Sequence, residues 1–242
     1  MFKKIALSVV LAGFMALPML AEEVRESIIS TEATVNREVD PDTAKVSFYV
    51  ENSGINLKDL KEKNDKIVKD AISAIKAQLN SDEKIKTIAF SVRNVYSYKD
   101  KIRIFQKYEV RNGFEVKLKD INKVSEIINI AMNNGVKNVG NINFLIENSQ
   151  NVCNEMMADS VKIAKNRAQI LSAAAGASLD KVKSINPYCS LSASHVQPRI
   201  NKVYMANSAM DAASGAVAES IDTIEPGVIN ARASVNMVYY LK

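Results

Sequence analysis

From Ile28 onward, apolar positions recur in two rhythms: every second residue in some stretches, every third or fourth in others. Period-two runs mark strands with one buried face, and three-and-four spacing marks helices with one apolar stripe. Ile28 to Val39 alternates loosely, and Ala44 to Val50 alternates again after Asp40-Pro41-Asp42. Two such runs around a short Pro/Asp turn predict a β-hairpin. Asn56 stands where a helix cap belongs, and Asp59 lies in the first turn, where a carboxylate favours the helix dipole. Leu57, Leu60, Ile67, Val68, Ala71, Ile72, Ile75 and Leu79 then form one stripe, interrupted by Asn64, with lysines and acids opposite.

Ile85 to Tyr98 and Ile102 to Lys119 read as two long strands joined at Lys99-Asp100-Lys101, with Phe114, Val116 and Leu118 alternating against Glu115, Lys117 and Lys119. Asp120 caps a second helix with Ile121, Val124, Ile127, Ile128 and Ala131 inward, and Gly135 stops it. Val139 to Ile146 is a strand, Val152 to Ala175 a third helix ended by Gly176, Lys181 to Pro187 a short strand, and Val228 to Leu241 a long final one. The order β-β-α-β-β-α-β-α-β-β predicts an α+β fold, with three main helices packed on one face of a mixed or antiparallel sheet. Phe114 to Ile146 reads as a right-handed crossover onto a parallel neighbour.

Ser190 to Glu225 breaks the pattern: it is rich in Ser, Ala, Met and Asn, with only a weak helical stretch from Ala206 to Ser220. An irregular insertion of this length is uncommon in a compact domain. It reads either as a mobile self-association arm or as a surface insertion without consequence.

The N-terminus sets the compartment. Lys3 and Lys4 precede an apolar run from Ile5 to Leu20, and Ala21 stands before Glu22-Glu23. That order predicts an export signal over residues 1–21, cleaved after Ala21, and a mature domain over 22–242. The competing reading is an uncleaved anchor, for which the run is short and Pro18 badly placed. Charges interrupt every later apolar run, so no integral membrane span is expected once the signal is removed. The expected location is the periplasm, with outer-membrane association open. The net charge of +5 falls to +3 when Lys3 and Lys4 are removed, and the remaining charges alternate in sign along the helices. Dispersed charge of this kind argues against a nucleic-acid partner.

Several residues fall together in order. They are Pro41-Asp42, Asn64, Thr87, Tyr96-Ser97-Tyr98, Tyr108 with Asn112, and Gly135; then Ala164, Arg167, Ala168, Leu171 and Gly176; and finally Pro226-Gly227. In this combination the chain resembles the SIMPL-domain family of exported bacterial proteins, which includes periplasmic immunogenic proteins. The resemblance runs from about residue 29 to 241. Ser172, where the family usually carries alanine, and Phe114-Glu115-Val116, preceded here by Gly113, depart from the pattern. The resemblance implies a cell-envelope protein connected with stress tolerance and recognition by host immunity, self-associating into a homo-oligomer, with no catalytic residues; no cofactor is expected.

The residues themselves offer little for catalysis. His195 is the only histidine, which excludes a His-rich metal site within one chain. As a catalytic base it would act from within the irregular segment, and no serine stands in a Gly-x-Ser-x-Gly turn. No glycine-rich phosphate loop is present.

Arg167 projects on or beside the apolar face of the third helix, near Val152, Met156, Ile163, Ile170 and Ala174. A charge there snorkels to water or takes a partner. Arg167 and Asn64 are therefore candidates for polar braces between helix and sheet, or for a small-ligand site in a helix–sheet pocket. Tyr96, Tyr98, Phe105 and Tyr108 flank one hairpin turn, either as stabilising cross-strand pairs or as an edge that docks a partner subunit. Cys153 begins the third helix and Cys189 ends the strand after it. The helix rises roughly 33 Å and the strand returns roughly 30 Å, which makes the pair a disulfide candidate. The absence of a Cys-x-x-Cys motif argues against a redox enzyme.

Overall fold

The computed structural model describes residues 26–192, 194–196 and 224–242. The expected export signal, the cleavage site and the 206–220 helix lie outside them. The strands are β1 (Ile28–Val39), β2 (Thr43–Gly54), β3 (Lys84–Lys99), β4 (Ile102–Leu118), β5 (Asn138–Leu145), β6 (Leu179–Ser192), β7 (Ser194–Val196) and β8 (Ile229–Leu241). The helices are α1 (Leu57–Lys76), α2 (Val124–Asn133, entered through a short 3-10 turn) and α3 (Ser149–Ala174).

The fold is α+β, but it is built on two antiparallel sheets where the sequence suggested one. A three-stranded sheet has the order β1-β8-β6, and a five-stranded sheet the order β3-β4-β2-β5-β7. Each has its own core. Phe48, Phe114, Val46 and Val116 pack with Ala71, Ile75, Ile127 and Ile128, so α1 and α2 cover one face of the larger sheet. Ala164 and Ala168 of α3 pack on Ala33, Val235 and Met237 of the smaller one.

The expected hairpin between the first two strands does not form. β1 pairs along its whole length with β8, from Ile28 opposite Tyr240 to Val39 opposite Ile229. Asp40-Pro41-Asp42 instead carries the chain from one sheet to the other. A tight hairpin needs positive φ at its centre, which no residue of this tripeptide adopts. Asp42 then fastens the start of β2. Its amide donates to the Leu145 carbonyl at 3.2 Å, and its carboxylate accepts from the Glu147 amide at 2.8 Å.

The expected crossover onto a parallel neighbour is also revised. β4 and β5 both lie antiparallel to β2, which sits between them. They are parallel to one another but not adjacent, a split β-α-β arrangement.

The helix ends follow local chemistry. The Asn56 side chain accepts from the amides of Lys58 and Asp59, and Asp120 caps the 3-10 turn before α2. Gly135 and Gly176 follow α2 and α3 with φ of 91° and 74°, a conformation that disfavours side chains.

On α3 the inward face differs from the expected one. Of Val152, Met156, Ile163, Ile170 and Ala174, only Met156 is buried; the buried line is Met156, Ser160, Ala164, Ala168 and Ser172. Small residues every fourth position let the helix lie close to the sheet, and Thr31 of β1 donates its hydroxyl to the Ala164 carbonyl at 3.1 Å. Ser172 fits this line because its hydroxyl is satisfied by the Gln169 carbonyl within the helix.

The first residues of the segment expected to be irregular from 190 are strand, and residues 193 and 197–223 lie outside the described residues. β6 is twice the expected length and runs to Ser192, and β7 joins the other sheet with His195 opposite Asn143.

Candidate functional site

The most exposed apolar surface among the described residues lies on the β3–β4 hairpin. β2 ends with Gly54 opposite Tyr108. Beyond that point, among the described residues, the two longest strands pair only with each other, forming a two-stranded arm. Lys99 pairs with Ile102, so the turn is the two residues Asp100 and Lys101, with φ of 49° and 65°. Both positive angles match the right-handed twist of a hairpin, although neither residue is glycine.

One face of the arm carries an aromatic ladder. Phe105 meets Tyr96 edge-on at 5.8 Å between ring centres and Tyr108 at 4.8 Å. The Arg103 guanidinium sits 3.5 Å above the Tyr96 ring, and the Asn94 amide donates to the Tyr96 hydroxyl at 3.1 Å. An isolated hairpin is marginal in water, and these contacts stiffen it. They leave other groups uncovered: Tyr98 is 72 % exposed and Ile102 65 %, while Phe90, 56 % exposed, lies on β3 below the arm, where β2 still pairs with β4. The ladder and the exposed edge therefore coexist on one arm.

The two candidate polar braces stand on different layers. Asn64 of α1 is fully buried against the five-stranded sheet. Its side-chain amide donates to the Val50 carbonyl at 3.0 Å, to Asn52 Oδ1 at 2.9 Å and to the Val110 carbonyl at 3.5 Å. It therefore bridges helix, β2 and β4. Arg167 lies on the exposed flank of α3, and its Nη1 donates to the Glu32 carbonyl of β1. The two residues do not converge on one cavity.

Cys153 and Cys189 are joined as a disulfide, with 5.8 Å between their Cα atoms. The bridge ties the first turn of α3 to β6. His195 lies in β7 by its backbone.

Two features escaped the sequence reading. The carboxylate of Glu83, just before β3, accepts from the amides of Asn80, Lys119 and Asp120 at 2.8, 2.8 and 3.2 Å. Burial alone would raise its pKa, but these amides and the charge of Lys123 outweigh it and hold the group below the ordinary glutamate range. Local pattern marks such a residue poorly, because only the Asn80 amide is near in sequence and the other two donors lie 36 and 37 residues away.

The second is Tyr49, whose ring lies across the open face of the five-stranded sheet over Gly113 and Gly140. A Cβ at either glycine would fall 2.8 Å from the ring. Gly113 and Gly140 thus leave room for the ring. The Arg111 guanidinium stacks 4.2 Å from the Tyr49 ring centre and pairs with Glu51 at 3.0 Å.

Two helix-backed antiparallel sheets, braced by polar side chains and carrying an exposed arm, make up the described fold. The family model "Protein of unknown function (DUF541)", SIMPL, matches residues 29–239. The chain belongs to the SIMPL family. It is similar to the 26 kDa periplasmic immunogenic proteins of Brucella melitensis and Brucella abortus, at 23% identity over 188 residues in each case. The matched stretch is 74% of this chain and 75% of each relative. The protein is periplasmic, as these relatives are named. Among the described residues no helix is long and apolar enough to cross a membrane.

Proposed function

We propose that this is a non-enzymatic periplasmic protein that works through contact surfaces, assembling into a homo-oligomer with an envelope-stress or surface-antigen role. The observation that carries the reading is the β3–β4 arm, where Tyr98 and Ile102 stand more than half exposed beside the turn. Tyr98 and Ile102 flank the turn on opposite faces of the ribbon, and large exposed apolar side chains gathered at one tip favour association. Aromatic residues on a stiffened ribbon suit an interface, since they bring large apolar area at low entropic cost. The antigen role draws on the name of the Brucella relatives.

The alternative, a small-ligand module beside Arg167, has less to support it. The guanidinium there is engaged by the Glu32 carbonyl on an exposed flank.

Sedimentation velocity on the purified protein and on a Tyr98→Ser/Ile102→Ser variant tests the proposal. The wild type sediments as an oligomer and the variant as a smaller species with unchanged circular dichroism. A wild type that stays monomeric at high concentration, or an arm variant that assembles equally well, contradicts it.

A further inference from the structure

Among the described residues no helix covers the face of the five-stranded sheet opposite α1 and α2, and at one end that face carries more positive charge than its own acids balance. Lys84 of β3 pairs with Lys117 of β4, and Lys117 in turn pairs with Lys45 of β2. Three lysines thus stand side by side across three adjacent strands. They alternate with Ile85, Val116 and Val46, of which Val46 and Val116 are fully buried under the helices, so the lysines point the other way. Like charges directly opposite one another destabilise a sheet.

The compensation within the chain is partial. Glu147 is shared by Lys117 and Lys119, and Glu115 pairs with Lys86 at 3.0 Å. Among the described residues Lys45 and Lys84 have no ion-pair partner. The neighbouring acids Asp42 and Glu83 are held by backbone amides. Farther along the same face the charges are matched, with Arg93 on Glu109 and Arg111 on Glu51. The excess is confined to the row of lysines.

We propose that this row, Lys84, Lys117 and Lys45 with Lys86 and Lys119 beside it, docks the protein onto the surface of an anionic phospholipid bilayer. The shape of the site favours a plane over a small ligand. The row spans two interstrand gaps, about 10 Å, on an open sheet face. It is made of lysines, which act as hydrated point charges, without the arginine forks that grip a single phosphate. Basic groups held in one plane are drawn to the negative potential of a bilayer. A second copy of the chain is a poorer occupant, because the acids on the outer face of α1 already pair within the helix: Glu62 with Lys58, Asp65 with Lys61 and Asp70 with Lys66. The site is separate from the arm, so its test stands apart from the test of assembly.

The experiment is co-sedimentation of the purified protein with vesicles of phosphatidylglycerol mixed with phosphatidylcholine, and with vesicles of phosphatidylcholine alone. The wild type binds the anionic vesicles, ignores the neutral ones and dissociates as salt is raised. A Lys45→Gln/Lys84→Gln variant, which removes repulsion and so keeps the fold, binds about tenfold more weakly or worse. A Lys58→Gln/Lys61→Gln control on α1 binds as the wild type does. Equal binding by the Lys45→Gln/Lys84→Gln variant, equal binding to neutral vesicles, or no binding to either overturns the proposal. Capture of soluble polyphosphate by the row without vesicle binding also overturns it, and assigns the site to a free anion.

Discussion

The side-chain amide of Asn64 donates to the main-chain carbonyl of Val50 at 3.0 Å, fully buried between α1 and the five-stranded sheet. This one group also reaches Asn52 and Val110, so it holds a helix to two strands where the apolar stripe of α1 is interrupted. A buried polar side chain in a stripe is tolerated only where its donors are satisfied.

Replacing Asn64 by leucine keeps the volume and leaves the buried acceptors without their donor. The expected loss is about 1–3 kcal/mol, read as a lower urea midpoint with an unchanged slope. A neutral substitution would show that the stripe needs only volume at that position.

The Cys153–Cys189 bridge closes a segment with a sequence separation of 36. The chain-entropy account gives about 3.5–4 kcal/mol for a loop of that size. Cys153→Ser with Cys189→Ser, or reduction of the native protein, is therefore expected to lower the melting temperature markedly. Free thiols titrated in the native, unreduced protein would contradict the bridge.

The depressed pKa of Glu83 makes part of the stability depend on pH. A carboxyl whose folded pKa is lowered contributes stability above its unfolded value, near 4.5, and loses it as pH falls through the folded pKa. Stability measured from pH 6 downward is therefore expected to fall in the acid range, and a Glu83→Gln variant to show a shallower fall from a lower starting point. Parallel curves for the two proteins would remove Glu83 from the account.

Tyr49 and Gly113 form a matched pair on the open sheet face. Adding a methyl at Gly113 drives a Cβ to 2.8 Å from the ring, and overpacking of this kind costs about 1–3 kcal/mol. In a Tyr49→Ser background the same Gly113→Ala change is expected to cost much less, a non-additivity that a double-mutant cycle measures. Additive costs would show that ring and glycine act independently.

The elements of the fold were legible where the signal is local. The stripes of α1 and α2 predict buried Leu60, Ala71, Ile75, Val124, Ile127, Ile128 and Ala131. The caps at Asn56 and Asp120 and the glycine stops need only a few neighbouring residues to specify them. What failed was partnership. The pairing of β1 with β8 joins residues about 200 positions apart, and nothing local distinguishes that strand from one in a hairpin. On α3 the inward face was misread because its contact with Ala33, Ala231 and Ala233 favours small residues over large apolar ones. The aromatic arm was visible as a cluster of residue types, but its exposure required knowing where β2 ends. The lysine row required the register of three strands.

Amide hydrogen exchange of the arm, residues 95–107, at low and high protein concentration tests most directly whether this ribbon is the assembly surface. Exchange there is expected to slow as concentration rises, while the buried strands β2 and β8 keep the same protection throughout. Identical exchange of the arm at both concentrations, in a protein that has demonstrably assembled, contradicts the account.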